Sequence, residues 1–147
     1  MLPLHSTAMT TRNQLKELAL LRLYEAEALH AVELFDGAKY LSGYVLELAL
    51  KARICRVLDV EEYPATGDLG RVYATHDLDR LLTLSGLRRK LTLGNKAIYD
   101  NWSFAAPWKP EQRYEPARSV SKRESEDVLN AIRSKTHGVL TWIKKYW

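Results

Sequence analysis

The sequence predicts an all-α fold, an up-and-down bundle of four or five helices. Long stretches lack Gly and Pro and are built largely from Leu, Ala and Glu, the strong helix formers, with apolar residues recurring three and four positions apart. No segment alternates apolar and polar residues over a useful length, and no internal repeat is present, so neither a sheet nor a solenoid is indicated.

Taken in order, residues 11–35 form the first helix. Leu15, Leu18, Leu21, Leu29 and Val32 mark one side, while Leu20, Leu23 and Leu34 spread round the other, so this helix is expected to touch several neighbours. Asp36-Gly37 reads as a tight break before the second helix, within "GAKYLSGYVLELALKARICRVL", which ends ahead of Glu61-Glu62-Tyr63-Pro64. Two long helices so joined make an antiparallel hairpin. At about 100° per residue, the second helix carries one apolar stripe with Leu41, Leu48, Ala52 and Cys55 and another with Gly43, Leu46, Leu50, Ile54 and Val57. Ser42, Ala49, Arg53 and Arg56 form its expected solvent face, so Arg53→Ala should be nearly silent and Leu48→Asp should unfold the domain. Opposite the arginines, between the apolar stripes, stand Glu47 and Lys51 with Tyr40 and Tyr44 beside them, an unusual set for a packing face.

Residues 64–74 read as a loop containing Gly67 and Gly70. A short helix follows, with Thr75 as N-cap, Asp77 and Asp79 at the positive end of its dipole, Leu78, Leu81 and Leu82 on its apolar side and Gly86 as its stop. A further helix is expected over Leu87–Tyr99, weakened by Gly94. Pro107, Pro110 and Pro116 forbid regular structure through residues 100–120, which read as an ordered loop because Trp102, Phe104, Trp108 and Tyr114 are too apolar to leave in water. Ser121-Lys122-Arg123-Glu124 fits a capping box that opens the last helix. Val128, Leu129, Ile132, Val139, Leu140 and Ile143 recur on one side of it through to the Trp147 end.

At 147 residues the chain has the length of one domain and is read as a single unit over 1–147, with 1–10 as a flexible N-terminus. A composition 46% hydrophobic and 27% charged is that of a soluble protein, and no run of about 18 or more uncharged apolar residues suggests a membrane span. The start "MLPLHSTAMTTR" lacks the basic residues and apolar core of a secretory signal, which favours the cytoplasm. Cys55 is the lone cysteine, and His5, His30, His76 and His137 are scattered, so neither a metal site nor a cofactor is expected. The net charge of +4, with a pI near 9.2, permits contact with phosphates without marking a dedicated electrostatic binder. Arg53 and Arg56, then Arg88, Arg89 and Lys90, then the basic residues from Lys109 to Arg123 hold much of that charge, and on general grounds each group reads as a solvated face.

"YLSGYVLELALKARI" followed by "THDLDRLL", a Trp-rich loop ending "RYEP" and one closing helix resembles the HEPN domain family of small helical bundles. The resemblance covers residues 12–145, and its strongest element is Glu47-x-x-x-Lys51 combined with Thr75-His76-x-Leu78, with Arg113-Tyr114 adding support. It implies a homodimer and association with nucleotide or RNA. It further implies a place in a two-gene toxin–antitoxin or defence system paired with a nucleotidyltransferase. RNA-cutting members are metal-independent ribonucleases that use an Arg and a His, four to six residues apart on a late helix, across a dimer interface. Here the candidate is Arg133-Ser-Lys-Thr-His137, whose three intervening residues fall one short of that pattern.

Each candidate residue also has a plainer reading. Arg133 and His137, at i and i+4, would share a helical face and could hold a phosphate and move a proton, or could simply continue a polar surface strip. Glu47 and Lys51 form either a local ion pair satisfied by Tyr40 and Tyr44 or a groove in which Lys51 holds a phosphate. His76 either binds an anion beside a helix start or closes the cap. Trp102, Trp108, Arg113 and Tyr114, interleaved with Lys109, either stack on unpaired bases or pin a proline-rich loop to the bundle. A third possibility is a non-catalytic protein-interaction scaffold.

Overall fold

A computed structural model describes residues 10–147, so the flexible N-terminus expected over residues 1–10 lies, apart from its last residue, outside the described residues. The fold is an all-α helical bundle. Among the described residues there is no strand, only an isolated antiparallel bridge between Thr11 and Glu62.

The first helix, α1, spans Arg12–Ala31 and opens with a complete capping box: Thr11 Oγ1 accepts from Gln14 N, and the Gln14 side chain accepts from Thr11 N. The second, α2, spans Phe35–Leu58 and runs back antiparallel to it. The break falls earlier than Asp36-Gly37. Glu33, at φ 64°, takes the left-handed conformation that ends α1, and Asp36 and Gly37 are already in the first turn of α2. Asp36 serves another connection, its carboxylate accepting from Arg118 N and Val120 N at 2.5 and 2.9 Å.

α2 is the central element and packs against most of the other helices. The solvent face expected for it does not exist as such: Ser42 and Ala49 are buried, and only Arg56 on that stripe is exposed. Arg53 reaches across the bundle, donating from Nε to Ser85 O at 3.2 Å and from Nη1 to Tyr146 O at 3.0 Å. Conversely Val57, placed on an apolar stripe, is 47% exposed because the last turn of α2 runs beyond the core. On α1 the packed positions are Leu15, Ala19 and Ala26. Leu21 and Val32, expected on the packing side, are exposed.

Residues read as a loop contain a short helix, α3, at Gly67–Tyr73. The next helix, α4, spans Leu78–Leu84. Its N-cap is Asp77 rather than Thr75, since the Asp77 carboxylate accepts from Asp79 N and Arg80 N while Thr75 Oγ1 accepts from Asp77 N. Gly86, at φ 73°, provides the expected stop. The helix expected over Leu87–Tyr99 is divided into α5, Arg88–Thr92, and α6, Lys96–Ala105, because Asn95 caps the second through its side chain. α6 therefore takes up the first part of the expected 100–120 loop, and Pro110–Tyr114 adds a 3-10 turn.

The closing helix is also divided. α7 spans Lys122–Arg133 and starts at Ser121, whose hydroxyl accepts from Glu124 N at 3.1 Å; α8 spans Val139–Ile143. Ser134 leaves the helical path at ψ 132°. Gly138 packs so closely behind it that a Cβ would stand 2.5 Å from Ser134 O and 2.6 Å from Ile132 O. One core joins these helices, α3 reaching it through half-buried Tyr73, and runs from Leu15 on α1 through Leu46, Leu50 and Ile54 on α2 to Ile132 on α7 and Ile143 on α8.

Candidate functional site

Tyr40, Tyr44, Glu47 and Lys51 lie at i, i+4, i+7 and i+11 on α2 and so form one stripe. The stripe is covered by the chain that returns after α3 and by the segment after α6. From the first comes His76, whose Nδ1 lies 2.7 Å from Glu47 Oε1. From the second comes Trp108, whose ring meets Tyr44 edge-on at 4.8 Å between centroids and whose Nε1 donates to Tyr40 O at 2.9 Å.

Glu47 is buried, with 4% of its surface exposed, and both of its oxygens are engaged. Lys51 Nζ donates to Oε2 at 3.2 Å and also lies 5.2 Å from the centroid of the Tyr63 ring. A carboxylate can only accept, so His76 Nδ1 donates in the 2.7 Å contact and Nε2 takes no part in it. The His76 side chain is 61% exposed, so the ring stands at the surface while its Nδ1 is anchored on a buried carboxylate. An imidazole oriented by a carboxylate offers its second nitrogen to a phosphate oxygen or to a hydroxyl.

His76 edges a cleft of about 410 Å³ whose other lining includes Trp108, Lys109, Pro110 and Glu111. Asp77, also on this cleft, uses its carboxylate to cap α4. On the far side of the 3-10 turn, Arg113 lines a second cleft of about 520 Å³ together with Tyr40, Lys39 and Pro116. The Arg113 guanidinium lies 4.8 Å from the Tyr114 ring centroid. Its pKa is pushed up, first by hydrogen bonding to Tyr114 and then to Tyr40. Tyr44 is pushed up to about 12, chiefly by burial and then by its hydrogen bond with Tyr40, the hydroxyls being 3.2 Å apart.

The structure thus gathers Tyr44, Glu47, Lys51, His76 and Trp108 along one stripe, with Arg113 and Tyr114 at its open end. The structure bears on two pairs of alternatives that the sequence leaves open. Trp102 and Trp108 are buried at 4% and 5% exposure, so neither offers a free face for stacking, whereas Tyr114 is 76% exposed. An anion held by the helix start behind His76 is also set aside, because α4 has only 7 residues and Asp77 already occupies its N–H groups.

Arg133 and His137 do not share a helical face, because α7 ends at Arg133. Arg133 Nη1 pairs with Glu27 Oε2 on α1 at 2.9 Å, and its Nε and Nη2 turn to Asn130 Oδ1. His137 sits in the turn before α8, its Nδ1 3.2 Å from Thr136 Oγ1 and its carbonyl accepting from Asn101 Nδ2. In the sequence Lys109 reads only as an interleaved charge; its place on the cleft depends on where Trp108 anchors the loop, which no local pattern reveals.

Among the described residues no group of three or more His, Cys, Asp or Glu side chains is gathered where a metal ion could sit, and no helix is long and apolar enough to cross a membrane. Comparison with known proteins matches the chain to no protein-family model, no curated protein and no solved structure.

Proposed function

We propose that the chain is a nucleotide- or RNA-associated module of HEPN type, and that it meets the phosphate of its ligand at the cleft edged by His76 and Lys109. The observation that supports this most is the Glu47–His76 contact at 2.7 Å. It fixes an exposed imidazole on a buried carboxylate that Lys51 balances. A buried charge held in this way is costly to assemble for packing alone, and it leaves a directed ring nitrogen at the mouth of a cleft.

The resemblance extends the proposal to a cytoplasmic two-gene toxin–antitoxin or defence setting with a small nucleotidyltransferase as partner. It also extends it to pairing of two copies. Leu20, Leu21 and Tyr24 support that pairing: all are exposed, and they fall within about 100° of arc on α1, a face that two-fold symmetry can close upon itself.

Calorimetric titration with ATP at low salt tests the site. Binding should weaken about tenfold in His76→Ala and in Lys109→Ala, which corresponds to about 1.4 kcal/mol each. Absence of binding by the wild type would leave a protein-interaction scaffold as the better reading. Should RNA be cleaved in a parallel gel assay, the loss of activity is expected with His76→Ala and not with His137→Ala.

A further inference from the structure

At the opposite side of α2 from the Glu47 stripe, Arg12 and Lys16 of α1, Arg53 and Arg56 of α2 and Lys90 of α5 converge on Tyr146 and Trp147. Arg12 Nη2 donates to Trp147 O at 2.8 Å, Arg53 Nη1 to Tyr146 O at 3.0 Å and Arg56 Nη1 to Tyr146 O at 3.2 Å. Lys16 Nζ lies 5.6 Å from the Trp147 ring centroid, and Lys90 Nζ lies 5.4 Å from that of Tyr146. None of these cations is in an ion pair with an Asp or Glu side chain among the described residues, although Asp59, Glu61 and Glu62 follow α2 directly. Elsewhere Arg88, Lys96 and Arg133 pair with Asp79, Asp100 and Glu27, while Arg71, Arg80 and Lys135 stand in no ion pair among the described residues either, so what sets the patch apart is the convergence of five cations on two residues.

Burial and crowding both act on the protonation of the patch. Lys16 is lowered, first by burial and then by the Arg12 and Arg56 charges, and Arg53 is lowered by burial and then by Arg56. Arg12 Nε is buried without a hydrogen-bond acceptor. Arg12 and Arg56 both reach Trp147 O, at 2.8 and 3.4 Å, but no Asp or Glu side chain among the described residues balances the five cations, and an external anion relieves the repulsion that remains.

We propose that this patch is the surface along which the sugar–phosphate backbone of single-stranded RNA runs. The inference rests on the RNA-binding reading above and names a second contact for the same ligand, separate from the His76 cleft. Guanidiniums pair bidentately with phosphodiester oxygens, and Arg56 and Lys90 present their charges to solvent. A membrane anchor would carry its rings outermost with the cations at their edges; here Lys16 and Lys90 lie against Trp147 and Tyr146, which are half-buried.

Fluorescence anisotropy with a labelled single-stranded oligouridylate of about ten nucleotides tests the proposal, a length within the site sizes of single-strand binders. Arg56→Glu with Lys90→Glu, both exposed positions, should weaken binding at least about tenfold and make the slope of log affinity against log salt shallower by about 1.4, the share of two phosphates on a single strand. Lys122→Glu with Arg123→Glu changes net charge equally from the start of α7. Its effect should stay under about threefold, since Lys39, the α2 residue at that end, is about 25 Å along the helix from Arg56. Arg56→Gln with Lys90→Gln, checked by circular dichroism for an intact helical signal, separates loss of binding from loss of fold.

Wild-type-like binding by the Arg56/Lys90 variants overturns the proposal, as does equal weakening by the α7 control. So does patch-dependent binding to phosphatidylserine vesicles without binding to the oligonucleotide. ATP titration keeps the two readings apart: patch variants should bind ATP as the wild type does. RNA binding lost only in His76→Ala leaves the cleft standing and removes the patch, whereas patch-dependent RNA binding with no ATP binding does the reverse.

Discussion

Gly43 on α2 lies directly beneath the Trp108 indole, so closely that a Cβ at that position would fall within the ring. The close approach seats the loop after α6 on the helix that carries Glu47, and the bond from Trp108 Nε1 to Tyr40 O fixes its orientation. Gly43→Ala would favour an isolated helix by about 1 kcal/mol, yet here it must expel a buried indole, so a net destabilisation of about 2 kcal/mol or more is expected. Urea denaturation measures it. An unchanged or raised midpoint would show that Trp108 does not pack as described.

Lys51→Met removes the ammonium from a buried carboxylate and leaves Glu47 with His76 alone. A loss of about 3 kcal/mol is expected, the range for a buried ion pair deprived of one member. Arg113→Ala, at an exposed residue, should cost far less. Equal effects in thermal denaturation would mean that Lys51 does not balance Glu47.

Arg53→Ala separates what the helical wheel predicts from what the fold shows. By periodicity Arg53 is a solvent-face residue and silent; in the bundle it ties Ser85 O and Tyr146 O to α2. A cost of about 1–2 kcal/mol is expected, in keeping with hydrogen bonds from a charged donor. A change below about 0.5 kcal/mol would restore the surface reading.

These residues show which parts of the molecule a linear reading reaches. The class of fold, the α1–α2 hairpin and the odd polar stripe on α2 follow from composition and spacing, because propensity and periodicity are local. Long side chains escape that logic: Arg53 bridges to a residue 93 positions away, and His76 finds Glu47 across 29. Helix ends are also decided by contacts. Asn95 and Ser134 divide segments whose apolar spacing continues across them, and neighbours close over the middle of the α2 face that polar and small residues mark as open, burying Ser42 and Ala49.

Raising the pH should weaken the fold through its tyrosines. Tyr44 is pushed up to about 12, chiefly by burial, against about 10 in an unfolded chain, so the folded state holds this proton more tightly. Its stabilising contribution is complete below about pH 10 and is lost as the pH rises through about 12. Tyr63 is pushed up as well, mainly by burial, and acts in the same direction. Urea midpoints should therefore fall between about pH 10 and about pH 12, and Tyr44→Phe should reduce the fall. A flat profile across that window would contradict the burial of both hydroxyls.

The division between α7 and α8 can be decided by the sign of one substitution. In a continuous closing helix, Gly138 would be an interior glycine, and Gly138→Ala would stabilise by about 1 kcal/mol while leaving Arg133 and His137 on one face. In the structure Gly138 is the residue before α8, at φ −63° and ψ 140°, and a Cβ there would meet Ser134 O at 2.5 Å, Ile132 O at 2.6 Å and Ser134 N at 2.6 Å. Those are backbone atoms and cannot swing aside as a side chain can, so Gly138→Ala should destabilise by about 2 kcal/mol or more. The same turn holds His137 O against Asn101 Nδ2 and Ser134 O against Thr141 Oγ1, so its rearrangement would be felt in α6 as well as α8. Urea denaturation gives the sign, and a gel-based RNA assay on the same variant adds the functional arm. A stabilised Gly138→Ala protein that cuts RNA in a His137-dependent way would show that the two closing helices join in solution and that Arg133 and His137 meet after all.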